Sequence, residues 1–561
     1  MNPEEIKPDI NTSQPEPSQV PPTPQVIPNS ETSPSTQPSA GVTVSSPQKG
    51  KGGLMKVLLL VLVLLLLAGG AYAYYKLVLH KAKPVTQTAV VKKDIPLVTF
   101  GYQIYGSDNS LYPAATLLDP NYDVNQQIFE GLVQFKNINQ IKPNLATSWT
   151  NPDDNTWDFK LLPNVKFHTG NVMTAADVKY SLENFKTSDY GKVYNDTIKS
   201  VEIVNDNEVK VSTVSPDPLL LNKLAFLYII DSKSTLKNDA ANGTGPYTLK
   251  PGTTPSEKEL DLVAFDGWHG GRPTTRAINF KVYDGEAAQI AAAQKGEINF
   301  VADVFEKDNQ TTLSKSASFQ DISFQHIGES VLRINSKKAG SPLADKRVRQ
   351  ALYDSLDQAS ILKARGIDAV VVNQIVPKDV PGYNPDIPAH KRDVAAAIQL
   401  LKDAGYPNGL TIELVNFANP NNHVPDEIAK EAKEAGITIT FKPYDDLTKE
   451  EADIAAGKMQ VFGYSINTTL LDASDGYPVA NMDQDYSNPT VKALLAQANS
   501  TIDPAKRLKI LQDLSKALVD DVALIPLYSR VQHFYADPTF VLTRDRGGVA
   551  FGGNFATAYA K

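Results

Sequence analysis

Residues 119–130, "DPNYDVNQQIFE", put Asp119, Asn121, Asp123 and Glu130 at positions 1, 3, 5 and 12 of a calcium-binding loop. Oxygen ligands at that spacing suit a hard divalent cation. Position 6 must turn sharply and requires glycine, yet Val124 stands there. Ile128, Phe129 and Leu132 instead mark the apolar face of a helix running through the second half, so no metal is expected. Other chemistry is equally thin. The chain has no cysteine, which excludes thiolate nucleophiles, disulfides and thiolate metal sites. Its seven histidines are scattered singly, with none paired at i, i+4. There is no G-x-S-x-G elbow, no H-E-x-x-H and no Walker loop. Gly243-Thr244-Gly245 precedes Pro246, which has no N–H to offer a phosphate, so it reads as a turn. The acid pairs Asp153-Asp154, Asp445-Asp446 and Asp520-Asp521 read as solvated faces or helix ends. No catalysis and no cofactor are expected.

The elements around these residues are mixed α/β. Thr174-Ala175-Ala176-Asp177 is a capping-box start, with Val178, Leu182 and Phe185 on one helical face. "VEIVNDNEVKVST" (201–213) alternates on both sides of Asn205-Asp206-Asn207 and predicts a hairpin. Val348, Ala351, Leu352, Ser355 and Leu356 fall on one face of an amphipathic helix. "LTIELVNF" (410–417), "PDEIAKEAKEAG" and "ITITF" (437–441) read as strand, helix, strand with Gly436 as the helix stop, a βαβ unit in a parallel sheet. Asp503-Pro504 opens a helix carrying Leu508, Leu511, Leu514 and Leu518. From about Ile95 to Lys561 the chain exceeds what one core usually serves, so two or more lobes are expected. A net charge of −8 and a pI near 5.5 argue against nucleic acid as a partner.

The N-terminal part is different. Residues 1–53 are rich in Pro, Ser, Thr and Gln and too poor in apolar side chains to offset their ordering entropy; a disordered tail is expected. Within 54–76, Val57 to Tyr75 carry no charge. Nineteen such residues make a helix of roughly 28 Å, close to the ~30 Å hydrocarbon core of a bilayer. Tyr72, Tyr74 and Tyr75 gather at one end, where aromatic rings settle at headgroups. Leu67-Ala68-Gly69 resembles the approach to a lipidated cysteine, but Gly70 occupies that place. An uncleaved anchor is the favoured reading; a signal peptide cleaved after Ala71-Tyr72-Ala73 is the other. Lys49, Lys51 and Lys56 on one side match Lys76, Lys81 and Lys83 on the other, so the flanks do not orient the segment. Residues 77–94 form a tether.

One run is distinctive. "IFEGLVQFKNINQIKPNLATSWTNPDDNTWDFKLLPNVKFHTGNVMTAADVKYSLENF" (128–185) resembles the signature region of the family 5 extracellular solute-binding proteins, the receptors of peptide and nickel ABC importers. The resemblance rests on Glu130-Gly131-Leu132, Pro143, Leu145-Ala146, Ser148-Trp149, Trp157, Phe159, Val165 to His168, Gly170, Thr174-Ala175 and Asp177-Val178. Gly243 to Tyr247 is similar to the family's "GTGPY", and "FDGWHGGRP" (265–273) to its "N-x-x-Y-W-x-G-x-P". "KGEINF" (295–300), Asn335, Asp345 with Arg347 to Leu352, and "IPLY" (525–528) follow in family order. The likeness covers about 97–530.

The resemblance implies a two-lobed periplasmic-binding-protein-like fold of type II, in the large cluster that carries an extra subdomain. Lobe I would comprise 95–127, 236–337 and 531–561, with the subdomain at 128–235; lobe II would be 338–530. The implied function is capture of a solute, short peptides first, and delivery to an ABC permease, by a monomer held at the cell membrane through 54–76 with the lobes outside. An anchored sensor or scaffold without transport, and a receptor for a non-peptide solute, remain open. Family ligand contacts map to Ser107, Asp108 and Asn109 after the first strand, and to Tyr464, Asn467 and Asp472 opposite. "GYSIN" (463–467) departs from the family's "G-W-x-x-D" loop: Asn467 replaces an aspartate that can bind a peptide ammonium, and Tyr112 replaces another aspartate in "SLYPA". Asp472 or Asp475 is the nearby substitute for that charge.

Overall fold

The structure is a computed structural model and describes residues 92–103, 121–186, 196–234, 241–253, 258–417, 422–444, 446–479, 484–544 and 553–561. Contacts divide the chain after Thr88, and the architecture below is that of Ala89–Lys561. The tail, the apolar segment 54–76 and Ser107, Asp108, Asn109 and Tyr112 lie outside the described residues. Among the described residues no helix is long and apolar enough to cross a membrane.

The first lobe is built on a seven-stranded sheet. Its spatial order is Gln320–Asp321, Tyr535–Ala536, Phe300–Val301, Val98–Gln103, Ala277–Tyr283, Glu259–Ala264, Tyr247–Leu249. Val98–Gln103 runs parallel to both Ala277–Tyr283 and Phe300–Val301. Phe100 points into this core, stacked on Phe300 at 4.4 Å and tilted on Phe280 at 5.2 Å. Each such ring, fully buried, stabilises the lobe by ~1.5–3 kcal/mol.

The second lobe has a six-stranded sheet ordered Ala369–Val371, Leu524–Gln532, Phe324–Ile334, Val461–Asn467, Leu410–Phe417, Ile437–Tyr444. Leu410–Phe417 and Ile437–Tyr444 are parallel and joined by helix Val424–Glu434, the expected βαβ unit, with Gly436 at φ 89° after the helix. A third body, the extra subdomain, pairs Ala146–Asp153, Thr156–Leu161, Glu208–Thr213 and Ile198–Asn205 in an antiparallel sheet over helix Ala175–Phe185. That helix starts as expected, the Thr174 N–H donating to Asp177 at 2.7 Å. Asn205 pairs with Glu208, closing the expected hairpin. Leu470, Leu471 and Ile327 pack into the subdomain's core, and Asn222 Nδ2 donates to the Leu470 carbonyl at 2.6 Å.

One helix is shorter than expected. It spans Asn121–Ile128 and stops before Leu132. Just past the stop, a Cβ on Gly131 would lie 2.5 Å from the Leu224 carbonyl oxygen, so the chain there runs against helix Leu220–Phe226 and only glycine fits.

Candidate functional site

The motif residues in 128–273 converge, but on a structural hub. Glu130 accepts from Thr244 Oγ1 at 3.0 Å, His269 Nε2 at 2.9 Å and Trp268 Nε1 at 3.3 Å. Its oxygens are therefore spent on side chains, not on a cation. His168 Nε2 lies 3.0 Å from the Gly245 carbonyl, and its Nδ1 lies 3.2 Å from the Ala241 carbonyl and 3.3 Å from the Gly243 nitrogen, so the ring is held between backbone groups of this turn. Burial lowers its pKa. A Cβ on Gly243 would sit 2.0 Å from the Ile128 carbonyl oxygen and one on Gly245 2.7 Å from that of Gln127, so only glycine lets this turn lie on the helix end. Among the described residues no group of three His, Cys, Asp or Glu is placed to hold a metal.

The chain crosses between the lobes on two strands. On the first, Phe324–Ile334, Phe324 stacks on Phe534 of lobe I at 5.3 Å, while Glu329 to Ile334 pair within the lobe II sheet. The second, Leu524–Gln532, returns to lobe I through His533 and Phe534. Their pairing slips between Gln325 and Glu329. Ser529 Oγ lies 3.0 Å from the His326 carbonyl and 3.1 Å from that of Gly328, satisfying groups that the slip exposes. His533 bridges Ser323 at 3.1 Å and Asp368 at 3.2 Å. These few residues form the crossing between the two lobes, where a hinge is expected.

Residues 463–467, which the resemblance implies to be a loop, form most of strand Val461–Asn467. Alternation therefore puts Tyr464 and Asn467 on opposite faces. Gly463, Ser465 and Asn467 are exposed, and nothing lies within 4 Å of where a Gly463 Cβ would be. Asn467 Oδ1 lies across Gly328, 2.0 Å from where a Cβ would stand. Tyr464 is half-buried on the other face, its ring and that of Phe462 each 5.3 Å from the Arg333 guanidinium. Asp472 is buried and taken: Arg507 binds both oxygens, and the Ser474 N–H and Oγ donate at 2.9 and 2.7 Å. Asp475 is half-buried and accepts the Leu470 N–H at 2.8 Å; desolvation pushes its carboxyl up to about 6. Neither presents a free charge where Asn467 lacks one.

Three hinge residues were not anticipated from the sequence. Glu329 is fully buried beside Ser529, and burial raises its pKa well above the usual carboxylate range, against the smaller lowering by the Ser529 hydroxyl. His326 is driven down to about 3 by burial, reinforced by Arg530. Arg530 reaches from the second crossing strand to lobe I, 5.2 Å from the Phe305 ring and 4.0 Å from Asp303. The signal was present: Glu329 and Arg333 inside "GESVLRIN" and Arg530 inside "LIPLYSRVQ" put charges into otherwise apolar or neutral strands.

Comparison with known proteins agrees with this geometry. The profile of the bacterial extracellular solute-binding proteins, family 5 Middle, matches residues 140–488. The chain is 26% identical to the nickel-binding protein NikA of Staphylococcus aureus over 70% of its length and 81% of the relative's. It is 27% identical to the glutathione-binding protein GsiB of Pectobacterium atrosepticum over 73% and 86%. The periplasmic binding protein DppA of Helicobacter pylori, solved with the peptide STSA, superposes with a TM-score of 0.67 at 20% identity, over 83% of this chain and 98% of that one.

Proposed function

From the premise that the chain belongs to the bacterial extracellular solute-binding proteins, family 5, which serve ABC importers, we propose that it captures short peptides between its lobes and delivers them to a permease. The observation that carries this reading is the hinge itself: two adjacent strands join the lobes, and the face bearing Gly463, Ser465 and Asn467 beside them is open. A pair of short crossing strands can absorb a rigid-body closure around a ligand. The relatives named above are substrate-binding proteins, not enzymes. Glutathione is a peptide, which supports that ligand class; nickel, bound by NikA, shows the breadth of the family.

The proposed ligand contacts are Ser107, Asp108 and Asn109 together with Asn467, while Tyr464 and Asp472 hold their strand and loop in place. A non-peptide solute is the second reading. It is favoured by Asn467 standing where a charge for the peptide ammonium is needed and by the full engagement of Asp472 with Arg507. Small-angle scattering of the full chain in detergent separates a receptor from a static scaffold. Closure lowers the radius of gyration when a peptide pool is added; binding without any change in radius contradicts the reading. The segment 54–76 is proposed as the anchor of a monomer, with the lobes outside the cell. Protease treatment of intact cells should then remove 95–561, and full protection of that part would contradict it.

A further inference from the structure

Arg530 differs from the other buried or half-buried arginines at comparable positions. Arg349 spends its guanidinium on the carbonyls of Leu343, Ala344, Asp521 and Val522, and Arg507 on Asp472, Ser474 and Ala498. The Arg530 guanidinium makes no hydrogen bond among the described residues. Its nearest carboxylate, Asp303, is 4.0 Å away, beyond hydrogen-bond range, and the two side chains are 32% and 31% exposed. An ion pair that long and that wet contributes little.

Its position is equally specific. The strand pairs Arg530 with Ala369 of lobe II, and the next residue, Val531, with Gln325 at the lobe I end of the first crossing strand. The guanidinium stacks over Phe305 of lobe I at 5.2 Å. Asp303 and Phe305 follow strand Phe300–Val301, which is parallel to Val98–Gln103. They thus lie outside the carboxyl ends of parallel strands, where open α/β sheets bind ligands. A planar guanidinium held on an aromatic face with its five donors unspent is preorganised for two parallel hydrogen bonds to a carboxylate.

We infer that Arg530 is the ligand's charge partner, and that the captured solute presents it a carboxylate, for a peptide its C-terminus. This deepens the receptor reading and rests on it. Neither Asn467, which is neutral, nor Asp472, which is paired with Arg507, offers an ammonium a free charge. Asp303 competes with the ligand for the same guanidinium, so entry replaces a 4.0 Å pair by a direct one.

The test uses full-length protein in detergent and two tripeptide libraries, one with free C-termini and one with C-terminal amides, with captured species weighed by native mass spectrometry. Wild type should capture free acids over amides by about tenfold to a hundredfold, the range expected for hydrogen bonds to a charged group. Arg530→Gln should erase that preference with little change in melting temperature, and Arg530→Lys should keep part of it. Equal capture of acids and amides by wild type, or a preference that survives in Arg530→Gln, overturns the inference. A melting temperature lowered with the preference intact also overturns it, since it marks a hinge fastener only. Capture of neither library overturns the peptide reading itself.

Discussion

Asp472→Asn removes one charge from a pair sealed from water, with Asp472 and Arg507 side chains 3% and 8% exposed. The partner left behind is a buried guanidinium with no counter-charge, a change that costs ~3–5 kcal/mol. Arg507 also holds the Ala498 carbonyl at 3.0 Å and Ser474 Oγ at 3.0 Å, so the pair ties the loop after strand Val461–Asn467 to two helices of lobe II. For a cooperative unit of ~150–250 residues each kcal/mol moves the melting temperature by ~2–4 °C, giving a fall of roughly 6–20 °C. Differential scanning calorimetry measures it, alongside capture of the peptide library. Melting should fall while the affinity of the remaining folded protein stays within about threefold. The double variant Asp472→Leu with Arg507→Met should recover most of the loss, because neither charge then remains buried. An unchanged melting temperature with lost capture would refute this reasoning and make Asp472 a ligand contact.

Glu329 bears on pH. Its folded pKa is raised, so between the ordinary carboxylate range and that higher value the folded state binds more protons than the unfolded one; stability is present at low pH and lost as pH rises. Glu329→Gln should flatten that slope in urea midpoints taken from pH 5 to 8, and an unaltered slope would contradict the assignment. Asp475, raised to about 6, acts in the same sense, losing stability as pH climbs from ~4 towards 6; Asp475→Asn should remove that part in the same titration. His326 has the opposite sign: depressed to about 3, it leaves the unfolded state richer in protons below ~6.5, so stability falls as pH drops from there towards 3. His326→Gln should lessen acid unfolding over that window. The two glycines should separate fold from function. Gly243→Ala drives a Cβ to within 2.0 Å of a backbone oxygen and should prevent soluble expression, whereas Gly328→Ala meets two side chains, the Asn467 amide at 2.0 Å and the His326 ring at 2.6 Å, and should cost ~1–3 kcal/mol while weakening capture.

Much of the fold could be read from the sequence because its signals are local. The capping box at Thr174, the turn at 205–208 and the strand–helix–strand of 410–444 each lie within a few dozen residues, and each formed as expected. The motif run was legible for a different reason: Glu130, His168, Thr244 and Trp268 are fixed by one hydrogen-bonded hub, so their types cannot drift independently. The hinge was opaque. Asn467 meets Gly328 across 139 positions of sequence, and Ser529 reaches Gly328 across 201; no periodicity encodes either contact. Asp472 as a spare charge was a reading from proximity in sequence, whereas its partner Arg507 comes 35 residues later. Tyr464 and Asn467 were grouped by likeness to a loop, yet the strand they occupy turns them to opposite faces.

The most direct test of a solute receptor is native mass spectrometry of the full chain, purified from its own cells in detergent without refolding, then denatured to identify what is released. Short peptides with free C-termini, bound one set member per chain, are the expected result. A chain that carries no solute and captures none from its own culture medium would contradict it.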